Sequence, residues 1–167
     1  MAVDVHAADE QSDHPVDLRR WSALAAAVLE AEGITSDAEV SLLFVDEDTI
    51  AVLNERFLGR SGPTDVLAFP IDDEDEPAGR TPDRGTPGPL STEPEPEPPR
   101  LVGDVVICPA VATRNAVDHE VGADDEVALL VVHGILHLLG MDHEDDGEAE
   151  RMERRERELL ARFHRSA

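Results

Sequence analysis

The chain contains no lysine, and its single cysteine is Cys108. The absence of lysine excludes Schiff-base catalysis on a lysine amine. One cysteine excludes an internal disulfide and is typical of a reducing compartment, and its apolar strand context predicts a buried structural thiol. No apolar run approaches the roughly eighteen residues of a membrane span, and the first residues lack the basic and hydrophobic regions of a signal peptide. We therefore expect a cytoplasmic protein.

Basic charge is also scarce. The chain has 14 arginines and 38 acidic residues, and its net charge is −24. An enzyme that acts on nucleic acid must overcome this general repulsion of phosphate. At physiological salt, however, charges more than about 8 Å apart are largely screened from each other. The composition thus argues against tight non-specific RNA binding, but not against a cleft that is positive locally.

The length of 167 residues suits a single domain with its own core. Apolar spacing and capping residues predict an α/β (α+β) fold, in which a small mixed sheet packs with helices. The predicted strands are residues 2–6, 39–45, 65–71 and 101–108, and the predicted helices are 17–33, one from about 46, 109–120, 126–139 and 148–163. Helix 126–139 is apolar nearly all round, which predicts a central buried position. The last helix interleaves arginine with glutamate, which predicts a solvated, salt-bridged face.

Residues 72–100 do not fit this pattern, because they hold eight of the twelve prolines and nine acidic residues. Such a composition cannot build a core, and we expect a disordered acidic, proline-rich insert that interrupts the domain. No crossover helix separates the flanking strands, which predicts that they pair as an antiparallel hairpin. An acidic arm could mimic a nucleic acid or dock a basic protein. A tolerated surface insertion is the favoured interpretation, because long loops cost little stability.

The most informative stretch is residues 133–143, H-G-I-L-H-L-L-G-M-D-H. On a helix, His133 and His137 lie on one face, one turn apart. Gly140 tolerates positive φ and can end the helix, so that the chain can bring His143 back as a third ligand. Three imidazoles around an open fourth position make a catalytic zinc site. The alternative is that the two helical histidines are a hydrogen-bonded pair in the core.

The spacing matches the long zinc-peptidase pattern of the metzincins, H-E-x-x-H-x-x-G-x-x-H, with one exception. Gly134 stands where those enzymes carry the glutamate that serves as general base. The pattern therefore predicts metal geometry of the peptidase kind without the peptidase base. Asp142 could act as a proton acceptor in its place, or it could orient an imidazole through a hydrogen bond.

The histidine stretch resembles the signature of the YbeY family of bacterial rRNA maturation factors. Pro63–Pro70, P-T-D-V-L-A-F-P, and Gly103–Cys108, G-D-V-V-I-C, resemble two further motifs of this family, in the same order. The similarity spans most of residues 36–163. It implies a metzincin-like metal helix, one zinc ion held by His133, His137 and His143, and single-strand-specific endoribonuclease activity. The implied role is rRNA maturation at the 3′ end of 16S rRNA, with a link to ribosome quality control.

Two positions depart from the family pattern. Many members carry an arginine, thought to contact RNA phosphates, where this chain has Leu58, and Arg56 and Arg60 lie two residues to either side. Ala68 replaces the serine that usually stands in the V-L-S-F-P motif. Either Arg56 or Arg60 is therefore a candidate to contact the phosphate in place of the missing arginine.

These observations predict a metal-dependent hydrolase whose substrate is single-stranded or precursor rRNA. In the predicted mechanism zinc activates a water or polarises the phosphate, Asp142 orients a group or accepts a proton, and Arg56 or Arg60 steadies the phosphate. Two alternatives remain open. One is a zinc peptidase of metzincin type, and the other is a non-catalytic ribosome-assembly factor whose zinc is structural and has a fourth protein ligand such as Cys108 or a carboxylate.

Overall fold

A computed structural model of the chain describes residues 3–34, 37–71, 100–141 and 146–164. Four strands and five helices follow one another along these residues. In chain order they are β1 (Val3–Asp9), α1 (Leu18–Ala31), β2 (Ala38–Phe44), α2 (Glu47–Leu58), β3 (Val66–Pro70), β4 (Arg100–Ile107), α3 (Pro109–Asp118), α4 (Ala123–Leu138) and α5 (Asp146–Phe163). The predicted α+β class and the predicted elements are confirmed, with shifts of one to three residues at most ends.

The four strands form one mixed sheet in the order β1-β2-β4-β3. β1 pairs with β2 and β2 with β4 in parallel, whereas β3 pairs with β4 antiparallel. The predicted hairpin between the last two strands is therefore confirmed. The predicted insert, apart from Arg100 at the start of β4, lies outside the described residues.

Alternation along β4 divides the core between the two faces of the sheet. Val105 and Ile107 point into the larger cluster, which also contains the buried residues of α1, α4 and α5. Val106 and Cys108 point into a smaller cluster beneath α2, together with Ile50. Because successive side chains of a strand point to opposite faces, this single apolar strand serves both cores. Cys108 is fully buried, as predicted for a structural thiol.

The helices begin where the sequence provides caps. The side chain of Asp17 accepts a hydrogen bond from the backbone N–H of Arg20 at the start of α1, and Asp46 does the same for Thr49 in α2. Pro109 occupies the first turn of α3, where its missing N–H costs nothing.

Among the helices, α4 is the central one. It packs against α1, α3 and α5 and against strands β3 and β4, which is the position that its apolar composition predicted. Ten of its side chains or glycine positions are buried, from Glu126 to Leu138. No helix in the described ranges is long and apolar enough to cross a membrane.

Candidate metal and catalytic site

The two helical histidines lie on the part of α4 that packs against β4. Between them, Gly134 packs directly on Val105 of β4, and a Cβ atom at position 134 would stand 2.6 Å from the Cγ1 atom of Val105. That distance is shorter than any van der Waals contact, so only glycine permits this approach of helix and strand. The same contact leaves no room for the glutamate that zinc peptidases carry at the equivalent position.

His133 and His137 present their rings side by side. The ring centroids are 6.5 Å apart and the ring planes differ by only 5°. Both residues are partly exposed, whereas their neighbours on the sheet side of α4, Gly134 and Leu138, are buried. The helical spacing thus brings the two imidazoles together at the edge of the core, where a ligand can reach them, as the sequence predicted.

The chain turns sharply immediately after this pair. Gly140 has a φ of +96°, and its N–H donates to the carbonyl oxygen of His137 while that of Met141 donates to Leu136. These two hydrogen bonds define a Schellman motif, which satisfies the last carbonyls of the helix. The predicted helix end at Gly140 is confirmed. Asp142 and His143, the predicted proton acceptor and third ligand, lie outside the described residues.

A glutamate of α5 completes the surroundings of the pair. The Oε1 atom of Glu156 lies 2.6 Å from the Nδ1 atom of His133, and Glu156 is only 7% exposed. Because a carboxylate is a hydrogen-bond acceptor, Nδ1 of His133 is the donor. In the neutral tautomer that donates from Nδ1, the acceptor lone pair of the ring is on Nε2.

Sequence reasoning missed Glu156, because it assigned the charged residues of the last helix to a solvated face. A signal was present in the spacing. Met152, Glu156 and Leu159 follow one another at i, i+4 and i+7, and all three are buried along one stripe. A carboxylate inside an apolar stripe needs a partner, and His133 is that partner.

The two predicted phosphate-contacting arginines belong to the end of α2 and the loop after it. Arg56 is exposed, and its guanidinium lies 5.6 Å from the centroid of the Phe57 ring. Arg60 is exposed in the following loop, whose course is fixed by the buried Asn54. The side-chain amide of Asn54 donates a hydrogen bond to the backbone carbonyl oxygen of Gly62. The backbone carbonyl oxygen of Asn54 accepts a hydrogen bond from the backbone N–H of Arg60.

The helix α2 covers the opposite face of the sheet from α4. Among the described residues, no hydrogen bond or ion pair joins Arg56 or Arg60 to the histidine pair. The geometry therefore brings His133 and His137 together and does not bring either arginine to them. The arginine assignment stays a prediction.

A second histidine–glutamate contact lies at the other end of α4. The Nδ1 atom of His119 is 2.7 Å from Oε1 of the buried Glu126. This hydrogen bond and the negative charge of Glu126, with smaller effects of Asp118 and Asp65, raise the pKa of His119. The side chain of His119 is 58% exposed.

The described ranges, which omit 142–145, contain no group of three His, Cys, Asp or Glu side chains placed to hold a metal ion. Cys108, a possible fourth ligand of a structural zinc, is buried in the cluster beneath α2, and burial raises its pKa. A thiol that resists ionisation is a poor metal ligand. In the described part of the chain, the site therefore consists of His133 and His137 with Glu156 behind them.

Comparison with known proteins identifies the family of the chain. The family model described as Endoribonuclease YbeY matches residues 6–164. The chain belongs to this family. It is 42% identical to the Endoribonuclease YbeY of Thermobifida fusca over 166 residues, which cover 99% of the chain and 96% of that protein. The Nocardioides protein of the same name is 41% identical over 90% of the chain and 92% of its own length.

A solved structure shows the same fold. The solution structure of a Thermotoga maritima protein superposes with a TM-score of 0.56, covering 95% of the chain and 91% of that protein, at 24% identity. At this identity the likeness concerns the fold alone. Family membership confirms the prediction that the chain is an enzyme, a hydrolase of the endoribonuclease class.

Proposed function

We propose that the chain is a zinc-dependent, single-strand-specific endoribonuclease that matures rRNA at the 3′ end of 16S rRNA and contributes to ribosome quality control. The observation that carries this proposal is the pair of parallel imidazoles of His133 and His137, on the central helix of a chain that belongs to the Endoribonuclease YbeY family. We infer that the enzyme acts in the cytoplasm, where precursor rRNA and ribosomal proteins are its partners.

The described residues fit a zinc ion. Zinc in catalytic sites takes imidazole nitrogens and keeps one position open. In the tautomer that donates from Nδ1 to Glu156, His133 has its acceptor lone pair on Nε2, the nitrogen that would bind the ion. We infer that His143 is the third ligand, since it follows the Gly140 turn by three residues. When bound at such a site, zinc lowers the pKa of a water molecule to about 7 and polarises a phosphate oxygen.

The remaining roles fall to side chains of the chain itself. His133 and His137 hold the reaction centre on the rigid central helix, which is the support that a preorganised site needs. We assign Asp142, beside the third ligand, to accept a proton from the attacking water or to orient an imidazole. Arg56 or Arg60 binds the phosphate backbone of the RNA, and the fixed loop after α2 limits where Arg60 can reach.

The two alternatives lose support from specific contacts. A zinc peptidase needs a general base at position 134, but Val105 occupies the space that any side chain there would need. A structural zinc needs a fourth protein ligand, and Cys108 lies in the cluster beneath α2, on the face of the sheet opposite the histidines. These observations argue against a peptidase base at position 134 and against Cys108 as a fourth metal ligand.

Cleavage of a labelled 16S rRNA 3′ precursor tests the proposal. Wild-type protein, His133→Ala and the control His6→Ala are each assayed with chelator, without chelator, and after zinc is added back. His6 is an exposed residue of β1, outside the site. We expect the wild type and His6→Ala to cut, to lose activity with chelator and to regain it with zinc, and His133→Ala to be inactive throughout. Equal cleavage by His133→Ala would overturn the proposal and indicate a contaminating nuclease.

A further inference from the structure

We propose that Glu156 is the positioning residue of the metal site, which fixes the tautomer and orientation of His133 so that Nε2 faces the ion. This inference rests on the proposed metal role of His133. It concerns a residue of α5, a helix that contributes no ligand of its own to the proposed set of three histidines.

The surroundings of Glu156 argue against a role in packing. Met152 and Leu159, one turn to either side, are buried at 1% exposure each. A leucine at position 156 would continue this apolar stripe at no desolvation cost, whereas a buried carboxylate must be compensated by a hydrogen bond. The compensating contact is the 2.6 Å hydrogen bond between Glu156 and His133. The imidazole compensates the burial of the carboxylate, and the carboxylate fixes the orientation of the imidazole.

The consequence for His133 follows from the chemistry of imidazole. Free in water, a neutral histidine interconverts between two tautomers and its ring turns about the Cβ–Cγ bond. A carboxylate on Nδ1 selects the tautomer whose lone pair is on Nε2 and holds the ring plane. The His133 and His137 rings are near-parallel, with ring planes 5° apart, and the hydrogen bond to Glu156 restrains the first of these two rings.

The chain supplies its own matched control in the other buried glutamate. Glu126 is 2% exposed, lies on α4, and accepts a hydrogen bond of nearly the same length from Nδ1 of His119. His119 is at the end of α3 and is not part of the histidine pair. Loss of either carboxylate removes a hydrogen bond between a buried glutamate and a histidine, but only loss of Glu156 affects the proposed metal site.

The experiment measures zinc affinity by chelator competition for wild type, Glu156→Leu, Glu156→Gln and Glu126→Gln, together with the unfolding of each apo protein. We expect Glu156→Leu to bind zinc 10- to 100-fold more weakly, the usual effect of removing a hydrogen-bond partner of a metal-binding histidine. Glu156→Gln retains a carbonyl acceptor and should recover part of this loss. Glu126→Gln should bind zinc as the wild type does.

Nitrogen-15 NMR of the imidazoles gives a second readout that does not require metal. In the apo wild type, His133 should show the Nδ1–H tautomer, and in Glu156→Leu a mixture of both. Should the leucine variant fail to fold, the glutamine variant still carries the affinity comparison.

The outcomes separate this inference from the proposed function. If wild type binds zinc and both Glu156 variants bind it equally well, the positioning role is wrong and the ribonuclease proposal stands. If Glu126→Gln loses as much affinity as Glu156→Leu, the effect is general destabilisation and the positioning role is also wrong. Absence of zinc binding by the wild type would overturn both.

Discussion

At the scale of single residues, histidines and carboxylates determine most of the specific chemistry of this molecule. Glu126 and Glu156 are buried, and each accepts a hydrogen bond from an imidazole. The two contacts differ in exposure, because the side chain of His119 is 58% exposed and that of His133 only 30%. The hydrogen bond to Glu126 raises the pKa of His119, so the contact between these two residues should respond to pH in a stability measurement.

The pH dependence expected from His119 has a definite sign. Its pKa in the folded protein is raised above the ordinary 6.5 by Glu126. Protonated His119 therefore contributes stability that is fully present below pH 6.5 and is lost as the pH rises through the folded pKa. Urea unfolding of wild type and His119→Gln from pH 5.5 to 9 should show the largest difference at the acidic end. A difference that grows with pH would contradict the assignment.

Arg56 and Arg60 give the second prediction at this scale. If either side chain binds one phosphate, its replacement by alanine should weaken binding of single-stranded RNA about equally for all sequences. It should also lower the slope of log K against log salt by about 0.7. Arg154→Ala, an exposed arginine of α5, is the matched control. Fluorescence anisotropy at several salt concentrations measures the RNA affinity and its salt dependence. An equal loss of affinity in the control variant would show only a general charge effect.

At the scale of elements, the contact between α4 and β4 decides how the site is supported. Gly134 lets the helix approach Val105 closely, and the two histidines project from the same turn and the next. The position that is a catalytic glutamate in zinc peptidases is here a packing position. The same helical spacing therefore serves a different chemistry, because the backbone of the helix lies closer to the sheet than a glutamate allows.

Gly134→Ala should destabilise the fold by about 1–3 kcal/mol, because the added methyl group collides with Val105. The intrinsic preference of helices for alanine offsets up to about 1 kcal/mol of this effect. In a Val105→Ala background the obstructing methyl groups are gone, and Gly134→Ala should become neutral or stabilising. Chemical denaturation of the four proteins of this double-mutant cycle measures the coupling. Additive effects would mean that the two residues do not contact each other as described.

At the scale of the whole molecule, the net charge of −24 is the dominant property. Residues 72–99 contribute nine acidic residues and two arginines to it, so their removal changes the net charge to −17. The strands that flank residues 72–99, β3 and β4, pair with each other. The pairing extends to Ile71, whose N–H donates a hydrogen bond to the carbonyl oxygen of Val102. The hairpin can therefore be closed by a short turn.

Replacing residues 72–99 by Asn-Gly leaves a four-residue loop, which ends with Arg100 and Leu101, between the paired residues Ile71 and Val102. The free energy of unfolding should rise by up to about 2 kcal/mol, because each halving of the loop length lowers the entropic cost of closure by about 0.6 kcal/mol. RNA binding should become tighter at low salt, because like charge is removed, and the difference should shrink as salt screens it. Denaturation and RNA titrations at two salt concentrations test this. A deletion variant that folds but loses association with ribosomes would instead indicate a docking role for the insert.

The fold could be predicted from the sequence to a large extent. Apolar runs, helical apolar stripes and capping residues located the nine elements of the described residues. The lack of a crossover helix predicted the antiparallel hairpin. These features depend on residues close together in the chain. The histidine pair could be predicted as well, because a spacing of four residues places both rings on one face of a helix. The Gly140 turn that ends the helix is equally local and was also predicted.

Contacts between distant parts of the chain could not be predicted in this way. Glu156 reaches His133 across 23 positions of sequence, and only the packing of α5 on α4 brings them together. The exclusion of a side chain at position 134 likewise depends on Val105, a residue of another element. The sequence alone determined the local elements, the family and the identity of the paired histidines, because local geometry follows from local spacing. Tertiary structure alone decided which buried carboxylate accompanies which histidine and how closely the central helix meets the sheet, because these depend on how the elements pack.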